Sequence, residues 1–144
     1  MKKVRMYADG GSRGNPGPAA GAAVLFALSD SGEQGERIAD AEKYIGINTN
    51  NQAEYTGIII GLQKALDLGY EEVDVRLDSE LAVKQINGIY RVKNPDIAKR
   101  FLEVHNLRTK FKKVTFSHVF REQNAAADAL VNETLDAVRD KVGL

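Results

Sequence analysis

Four acidic residues stand at a strand end, on the apolar side of a predicted helix or at a helix start, namely Asp9, Glu54, Asp78 and Asp128. Asp9 and Asp78 each end a run typical of a strand, and Asp128 falls in the first turn of a predicted helix. Carboxylates brought together repel one another unless cations neutralise them, and they bind hard divalent ions such as magnesium and manganese. Two such ions about 4 Å apart can activate a water molecule and stabilise a leaving oxygen on phosphorus. The four acids therefore predict a metal site for phosphate chemistry.

Two of these acids also have plainer interpretations. Asp9 precedes a Gly- and Pro-rich run through Pro18, which is typical either of a simple turn capped by an aspartate or of a loop whose N–H groups bind phosphate. Glu54 lies in line with Ile58 and Leu62 on the apolar side of a predicted helix. Burying a carboxylate is costly without a partner, so Glu54 is either satisfied by a protein group or is a metal ligand.

The apolar periodicities predict five strands and four helices. Capping residues support the helix starts, with Thr49 and Asn50 before the first, Ser79 before the second and Asn94-Pro95 before the third. Asn124 is predicted to cap the last helix. The predicted strands cover 4–9, 20–28, 36–47, 72–77 and 113–120, and the predicted helices cover 51–68, 80–87, 95–111 and 125–141.

The order of these elements predicts an α/β fold. Three antiparallel strands are followed by alternating helices and strands, which gives a five-stranded mixed sheet, its last two strands parallel, with helices on both faces. Sites in such sheets lie beyond the carboxyl ends of the strands, so Asp9 and Asp78 would meet if their strands are parallel neighbours. At 144 residues, the chain is expected to form a single domain over 1–144.

Composition narrows the choice of metal and partner. The chain has no Cys, which excludes disulfides and Cys zinc sites, and its two His disfavour a His-based metal site. No signal-peptide run or long apolar stretch occurs, so an intracellular, cytoplasmic protein without a membrane partner is expected. The net charge is zero, but between Lys84 and Lys113 nine Lys or Arg face two acids, a net +7. This segment is either an ordinary solvated surface or a face for an anionic partner.

Four segments of the chain resemble ribonuclease HI, in the order found in that family. The segments are DGGSRGNPGP at 9–18, TNNQAE at 49–54, DSELAVKQING at 78–88 and REQNAAAD at 121–128. The resemblance implies a ribonuclease H-like fold, type 1, and hydrolysis of the RNA strand of an RNA–DNA hybrid to 5′-phosphate and 3′-hydroxyl ends. It also implies that Asp9, Glu54, Asp78 and Asp128, with the Gly10 backbone, hold two Mg²⁺ ions, for which Mn²⁺ can substitute. No obligatory protein partner is expected.

The same resemblance suggests substrate contacts. Residues lining the nucleic-acid groove would read the RNA 2′-hydroxyls or backbone, and Thr49 would form part of a DNA-phosphate pocket. The predicted substrate-binding residues are Gly11, Ser12, Asn15, Thr49, Asn50, Arg91, Lys93, Arg121 and Asn124.

The chain departs from many relatives in three places. The basic protrusion of some bacterial relatives is absent, as in the compact subgroup, so hybrid binding would rest on Arg91, Lys93 and the basic residues of the neighbouring helices. Glu80 replaces a Gln and is expected to stabilise a helix N-terminus. The His-bearing loop is short; His118 is interpreted as a structural residue, and Arg121 as the cation that helps to bind phosphate or product.

Three functions are consistent with these features. The first is a metal-dependent endoribonuclease for RNA–DNA hybrids. The second is a nuclease of the same fold that acts on another nucleic acid, such as duplex RNA or branched DNA. The third is a hybrid-binding module without catalysis, which the four acids disfavour, since an acidic group of residues repels a polyanion. Tyr90, beside Arg91, is either a core residue or a stacking surface for nucleic acid.

Overall fold

The protein is described from a computed structural model, which covers residues 2–141. One five-stranded sheet has the order β3-β2-β1-β4-β5. The strands are β1 (Lys3–Ser12), β2 (Gly17–Leu28), β3 (Gln34–Asn48), β4 (Glu72–Leu77) and β5 (Lys113–His118). The helices are α1 (Asn50–Asp67), α2 (Glu80–Ile86), α3 (Pro95–Arg108) and α4 (Ala125–Lys141), with a 3₁₀ turn at Arg121–Asn124.

The pairing of the strands confirms the predicted mixed sheet. β1 runs antiparallel to β2, which runs antiparallel to β3, whereas β4 is parallel to both β1 and β5. The parallel pairs follow from the helices between them, because a crossover helix returns the chain to the same edge of the sheet. The carboxyl ends of β1, β4 and β5 therefore share one edge.

Helices cover both faces of the sheet, as predicted. On one face α1 and α2 pack on the strands and α3 packs against α1, and Tyr55, Ile58 and Leu62 of α1 are fully buried there. On the other face α4 packs on β2 through Leu130, Val131 and Leu135 among others. Burying each such large apolar side chain contributes about 1.5–3 kcal/mol, which makes these two layers the main source of stability.

Helix α1 lies unusually close to β1. A Cβ atom on Gly57 would collide with the Asp9 carbonyl oxygen, and one on Gly10 would collide with the backbone of Ala53. Only glycine allows this contact. The spacing Gly57–Gly61 therefore serves helix–sheet packing, and it brings Glu54 next to the end of β1.

The helix caps follow the sequence closely. Thr49 caps α1, its hydroxyl accepting from the Gln52 N–H at 3.2 Å, and Gly69 follows the helix with a positive φ of 81°. Ser79 caps α2, and Asn94 caps α3 with Pro95 in its first turn. These caps confirm the predicted starts of the first three helices.

Three predictions about local structure are wrong. β1 does not end at Asp9 but continues to Ser12, paired with β2, so the connecting loop is only 13–16. β5 ends at His118 and not at Phe120, because a 3₁₀ turn follows. Asn124 does not cap α4: its Oδ1 accepts no hydrogen bond and its Nδ2 donates to the Ala8 carbonyl at 2.9 Å.

None of the helices found in residues 2–141 is both long enough and apolar enough to cross a membrane.

Candidate active site

Asp9 and Asp78 meet where β1 and β4 part. The last parallel pair is Ala8 with Leu77, and each aspartate is the next residue along the chain. Beyond this point β1 continues with β2 alone, with Asp9 opposite Ala22. The divergence opens a cleft at the carboxyl edge of the sheet, and both carboxylates line it.

Asp128 completes the cleft from the face of the sheet that α4 covers. It lies in the first turn of α4, and Val131 and Asn132, one helical turn further along, line the same cleft. The packing of α4 on β2 fixes this approach. The structure thus brings together three of the four acids predicted from the sequence along one open cleft.

The electrostatics of Asp9 are those of an acid without a counter-charge. Burial raises its pKa, and the neighbouring carboxylates of Asp78 and Asp128 raise it further, while the Gly10 backbone N–H opposes them. The result is a pKa of about 8, against an ordinary value of 3.8. A nearby cation would reverse this shift, because it stabilises the ionised form.

Glu54, on α1, lies beside Ser79 and Asp78. Its Oε2 atom is buried and has no hydrogen-bond partner. Burial raises the pKa of Glu54; the neighbouring Ser79 hydroxyl lowers it, and Asp78 raises it. An orphaned buried oxygen is expensive, so the interpretation that a protein group satisfies this glutamate fully does not hold.

These residues suit a divalent cation. The orphaned oxygen of Glu54 and the raised pKa of Asp9 both mark missing positive charge, and oxygen donors are the ligands that Mg²⁺ and Mn²⁺ prefer. Among residues 2–141, no three His, Asp or Glu side chains already surround one ion-binding point.

The loop after β1 is tied to the start of α1. The Ser12 N–H and hydroxyl both donate to Asn50 Oδ1, at 2.8 and 3.0 Å, and the Asn50 N–H donates to Asn15 Oδ1 at 3.1 Å. The amide oxygens of both asparagines are thereby used, which leaves their NH₂ groups to donate outward. Asn50, Ser12 and Gly11 also line the acidic cleft, so these predicted substrate contacts do lie beside the acids.

A different depression lies between α1 and α3, next to Thr49 in the chain. It is lined by two cations and two acids, Lys99, Arg100, Asp96 and Glu103, together with Asn48 and Gln52, and Arg100 donates to Gln52 Oε1 at 3.1 Å. The sequence placed Lys99 and Arg100 only within a basic segment. Their position in this depression follows from the packing of α3 against α1, which no local pattern reveals.

The structure does not bring Arg91 and Lys93 to the acids. Both are exposed in the connection between α2 and α3, at 87–94, which leaves no space for a helical protrusion. Tyr90 is 47% exposed rather than in the core, and Lys84 lies over its ring at 5.1 Å. Lys84 also pairs with Glu80 at 2.6 Å, so Glu80 supports the first turn of α2 as predicted.

Arg121 lies where the sequence predicted it. It is exposed at the start of the 3₁₀ turn and lines the cleft with the three aspartates. Its guanidinium is always charged, so it can bind a phosphate oxygen but cannot donate a proton as an acid.

Two other predictions about this loop need correction. Asn124 is fully buried, with its Nδ2 bonded to the Ala8 carbonyl, so it supports the backbone before Asp9 and is not placed to touch a substrate. His118 is exposed at the last position of β5 and is not a core residue. Val119 occupies the buried position there.

Arg13 was missed by the sequence analysis. It lines the cleft and pairs with Asp136 of α4 at 2.6 Å. Its place in the loop DGGSRGNPGP was visible, but its partner lies far along the chain. Val131 and Leu135, which also line the cleft, could have been found by helical spacing from Asp128.

Known proteins resemble this chain over most of its length. The family model described as reverse transcriptase-like matches residues 8–134. A bifunctional protein of Mycobacterium tuberculosis is 42% identical over 94% of this chain and 36% of its own length. Ribonuclease HI of Halobacterium salinarum is 42% identical over 93% of this chain and 65% of its own length. The chain thus spans about one third to two thirds of these relatives.

Solved structures resemble this chain as well. LC11-RNase H1, solved in complex with an RNA/DNA hybrid, superposes with a TM-score of 0.84 at 38% identity, covering 94% of this chain and 98% of that one. The family model, the sequence identity and the shared fold together identify the family: the chain belongs to the type 1 ribonucleases H, the ribonuclease HI family.

Proposed function

We propose that this protein hydrolyses the RNA strand of RNA–DNA hybrids with the help of divalent metal ions. The observation that carries the proposal is the convergence of Asp9, Asp78 and Asp128 on one cleft, beside the Ser12–Asn50–Asn15 network. The hybrid bound to LC11-RNase H1 supports the choice of substrate.

The four acids would hold the metal ions. Asp9, Glu54, Asp78 and Asp128 supply the carboxylates, and two Mg²⁺ ions, with Mn²⁺ as a substitute, are what the family resemblance implies. When bound, such ions activate the attacking water and stabilise the charge that develops on phosphorus and on the leaving oxygen. Cleavage between phosphorus and the 3′-oxygen would leave 5′-phosphate and 3′-hydroxyl ends.

The remaining residues would position the substrate. The NH₂ groups of Asn15 and Asn50 can donate to ribose 2′-hydroxyls, the groups by which a protein distinguishes RNA from DNA. Arg121 can hold a phosphate oxygen at the mouth of the cleft. Lys99 and Arg100, in the depression next to Asn48, can receive a phosphate of the DNA strand, with Thr49 assigned to the same contact by the family resemblance. We therefore place the RNA strand over Asp9 and its DNA partner toward α3.

The substrate test compares four labelled nucleic acids: an RNA–DNA hybrid, duplex RNA, duplex DNA and the hybrid with isolated deoxynucleotides in its RNA strand. We expect Mg²⁺-dependent cutting of the hybrid, suppression near each deoxynucleotide and intact duplex DNA even with Mn²⁺. Mapping the product ends tests the cleavage chemistry. Efficient cutting of duplex DNA would move the chain to the DNA nucleases of this fold, and binding without cutting would leave only a binding module.

A substitution in the RNA-reading network sharpens this test. Asn15 is exposed, so Asn15→Ala should leave the fold intact. It removes one donor to the 2′-hydroxyl and the acceptor for the Asn50 N–H. We expect weaker hybrid cleavage with an unchanged Mg²⁺ midpoint; a shifted midpoint with normal hybrid affinity would argue against the assigned role.

A further inference from the structure

Phe120 is the most exposed large apolar side chain among residues 2–141, at 70%. Single exposed apolar residues are common and carry no meaning alone. Phe120 differs from the others in its surroundings, because the next residue, Arg121, lines the acidic cleft.

The backbone holds Phe120 in a fixed position. Its N–H donates to Gln123 Oε1 at 2.9 Å, and its carbonyl accepts from the Gln123 N–H at 2.9 Å. The preceding Val119 is buried and donates to the Leu77 carbonyl at 2.8 Å. The ring is therefore presented by an anchored turn.

The register of β5 with β4 brings Phe120 close to Asp78. The Val119–Leu77 bond continues the alignment of β5 with β4, so Phe120 comes beside the point where Asp78 follows Leu77. The next residue, Arg121, lines the cleft, so Phe120 lies beside the cleft although it does not line it. His118 packs edge-on against its ring, with centroids 5.9 Å apart and planes at 77°.

An aromatic face next to a cation matches the chemistry of a nucleotide. Arg121 can bind a phosphate, and an adjacent ring can pack against the attached sugar. Within a hybrid the bases are paired and stacked, so the surface offered to a protein along the minor groove is largely ribose and backbone. The arrangement therefore fits a ribose more closely than a base.

Resting on the proposed hybrid cleavage, we propose that Phe120, braced by His118, packs against the ribose of an RNA nucleotide adjacent to the scissile phosphate. The contact would fix the register of the RNA strand over Asp9 and Asp78. It would govern where the strand is cut as well as how tightly it binds.

The test measures KM, kcat and cut positions on one end-labelled hybrid for Phe120→Ala, Phe120→Leu, Phe120→Trp and His118→Ala. For Phe120→Ala we expect KM to rise about fivefold to tenfold, with kcat within about twofold and a broader set of cut positions. Phe120→Trp should restore both values, Phe120→Leu should restore them only in part, and His118→Ala should have a smaller effect.

Leu68→Ala is the matched control, since Leu68 is 41% exposed at the far end of α1. It should change neither KM nor cut positions, and the thermal midpoints of all variants should stay close to that of the unchanged protein. An unaltered KM and cut pattern in Phe120→Ala would overturn the proposal, as would full function in Phe120→Leu. Failure of the unchanged protein to cut the hybrid would count against the proposed function instead.

Discussion

Two partly buried aspartates on the same face of β1 and β4 have opposite electrostatics. Asp74 lies two positions along its strand from Arg76 and opposite Arg5, and it accepts from both guanidinium groups at 2.9–3.0 Å. Burial raises the pKa of Asp74, but the bonds to Arg76 and Arg5 outweigh it, so the pKa falls below its usual range. Asp9, beyond the divergence of the strands, has a pKa of about 8.

Burial raises the pKa of both carboxyl groups, so the opposite direction of the two net shifts comes from their partners. Asp74 is satisfied within the protein, and its charge contributes to the stability of the sheet. Asp9 is surrounded by Asp78 and Asp128, so holding its charge destabilises the folded protein until a cation is bound. A strongly perturbed acid in a cleft is a sign of function, whereas a salt-bridged acid on the same strands is structural.

Removing one carboxylate at each position should separate activity from stability. Asp9→Asn should lower hybrid cleavage on the order of a thousandfold or more, because it removes a metal ligand. Without divalent ions the variant should be more stable than the unchanged protein, by roughly 1–3 kcal/mol near pH 8, since a repelling charge is gone. Kinetics and denaturant unfolding measure the two effects, and substantial residual activity would remove Asp9 from the ligand set.

Asp74→Asn is the matched control, for which we expect lower stability and unchanged activity. It leaves Arg5 and Arg76 side by side without a carboxylate, so the free energy of unfolding at neutral pH should fall by about 1–3 kcal/mol. Cleavage per folded molecule should not change. A large loss of kcat in this variant would show that the ion pairs of Asp74 and the acidic cleft are coupled.

The stability of the metal-free protein should depend on pH in opposite directions at the two sites. The pKa of Asp9 is higher in the folded state than its ordinary 3.8, so its contribution to stability decreases as pH rises from about 4 toward about 8. The pKa of Asp74 is lowered, so its contribution is present above pH 4 and is lost on acidification. Denaturant unfolding of Asp9→Asn across this pH range should lack the first trend, and that of Asp74→Asn should lack the second.

The smallest expected effect concerns the basic connection between α2 and α3. Neutralising Arg91 and Lys93 should make hybrid affinity less dependent on salt, with each lost phosphate contact reducing the log–log slope by roughly 0.9. Binding titrations at several salt concentrations measure the slope. An unchanged slope would show that the hybrid does not cross residues 87–94.

Sequence periodicity predicted most of the fold because the buried residues of α1, β4 and β5 follow strict spacings, such as Ile58, Leu62 and Ala65. It failed at the end of β1. Gly10 and Gly11 have the composition of a loop, yet β1 continues through them because the backbone of α1 packs directly on Gly10. Close backbone packing and turn formation favour the same residue, so composition alone could not separate them.

The acids of the site were predicted because they lie at strand ends, on the apolar side of a helix and at a helix start, and because their order matches the ribonuclease HI motifs. Asn124 and His118 were misinterpreted because each fits a local pattern well. An asparagine before a helix is typical of a cap, but its partner here is Ala8, which is remote in sequence. His118 alternates with Val114 and Phe116, but it comes at the last position of the strand, where the chain turns into the loop. A long-range contact decided the role of Asn124, and the end of the strand decided the exposure of His118.

The most direct test is a site-resolved carboxyl NMR titration of Asp9 and Asp74 in one sample, without and with Mg²⁺. We predict that Asp9 titrates near pH 8 in the metal-free protein and shifts to much lower pH when Mg²⁺ is added, while Asp74 stays below its usual range throughout. An Asp9 that titrates near 4 without metal, or that does not respond to Mg²⁺, would contradict the claim that this cleft is an acidic site awaiting a cation.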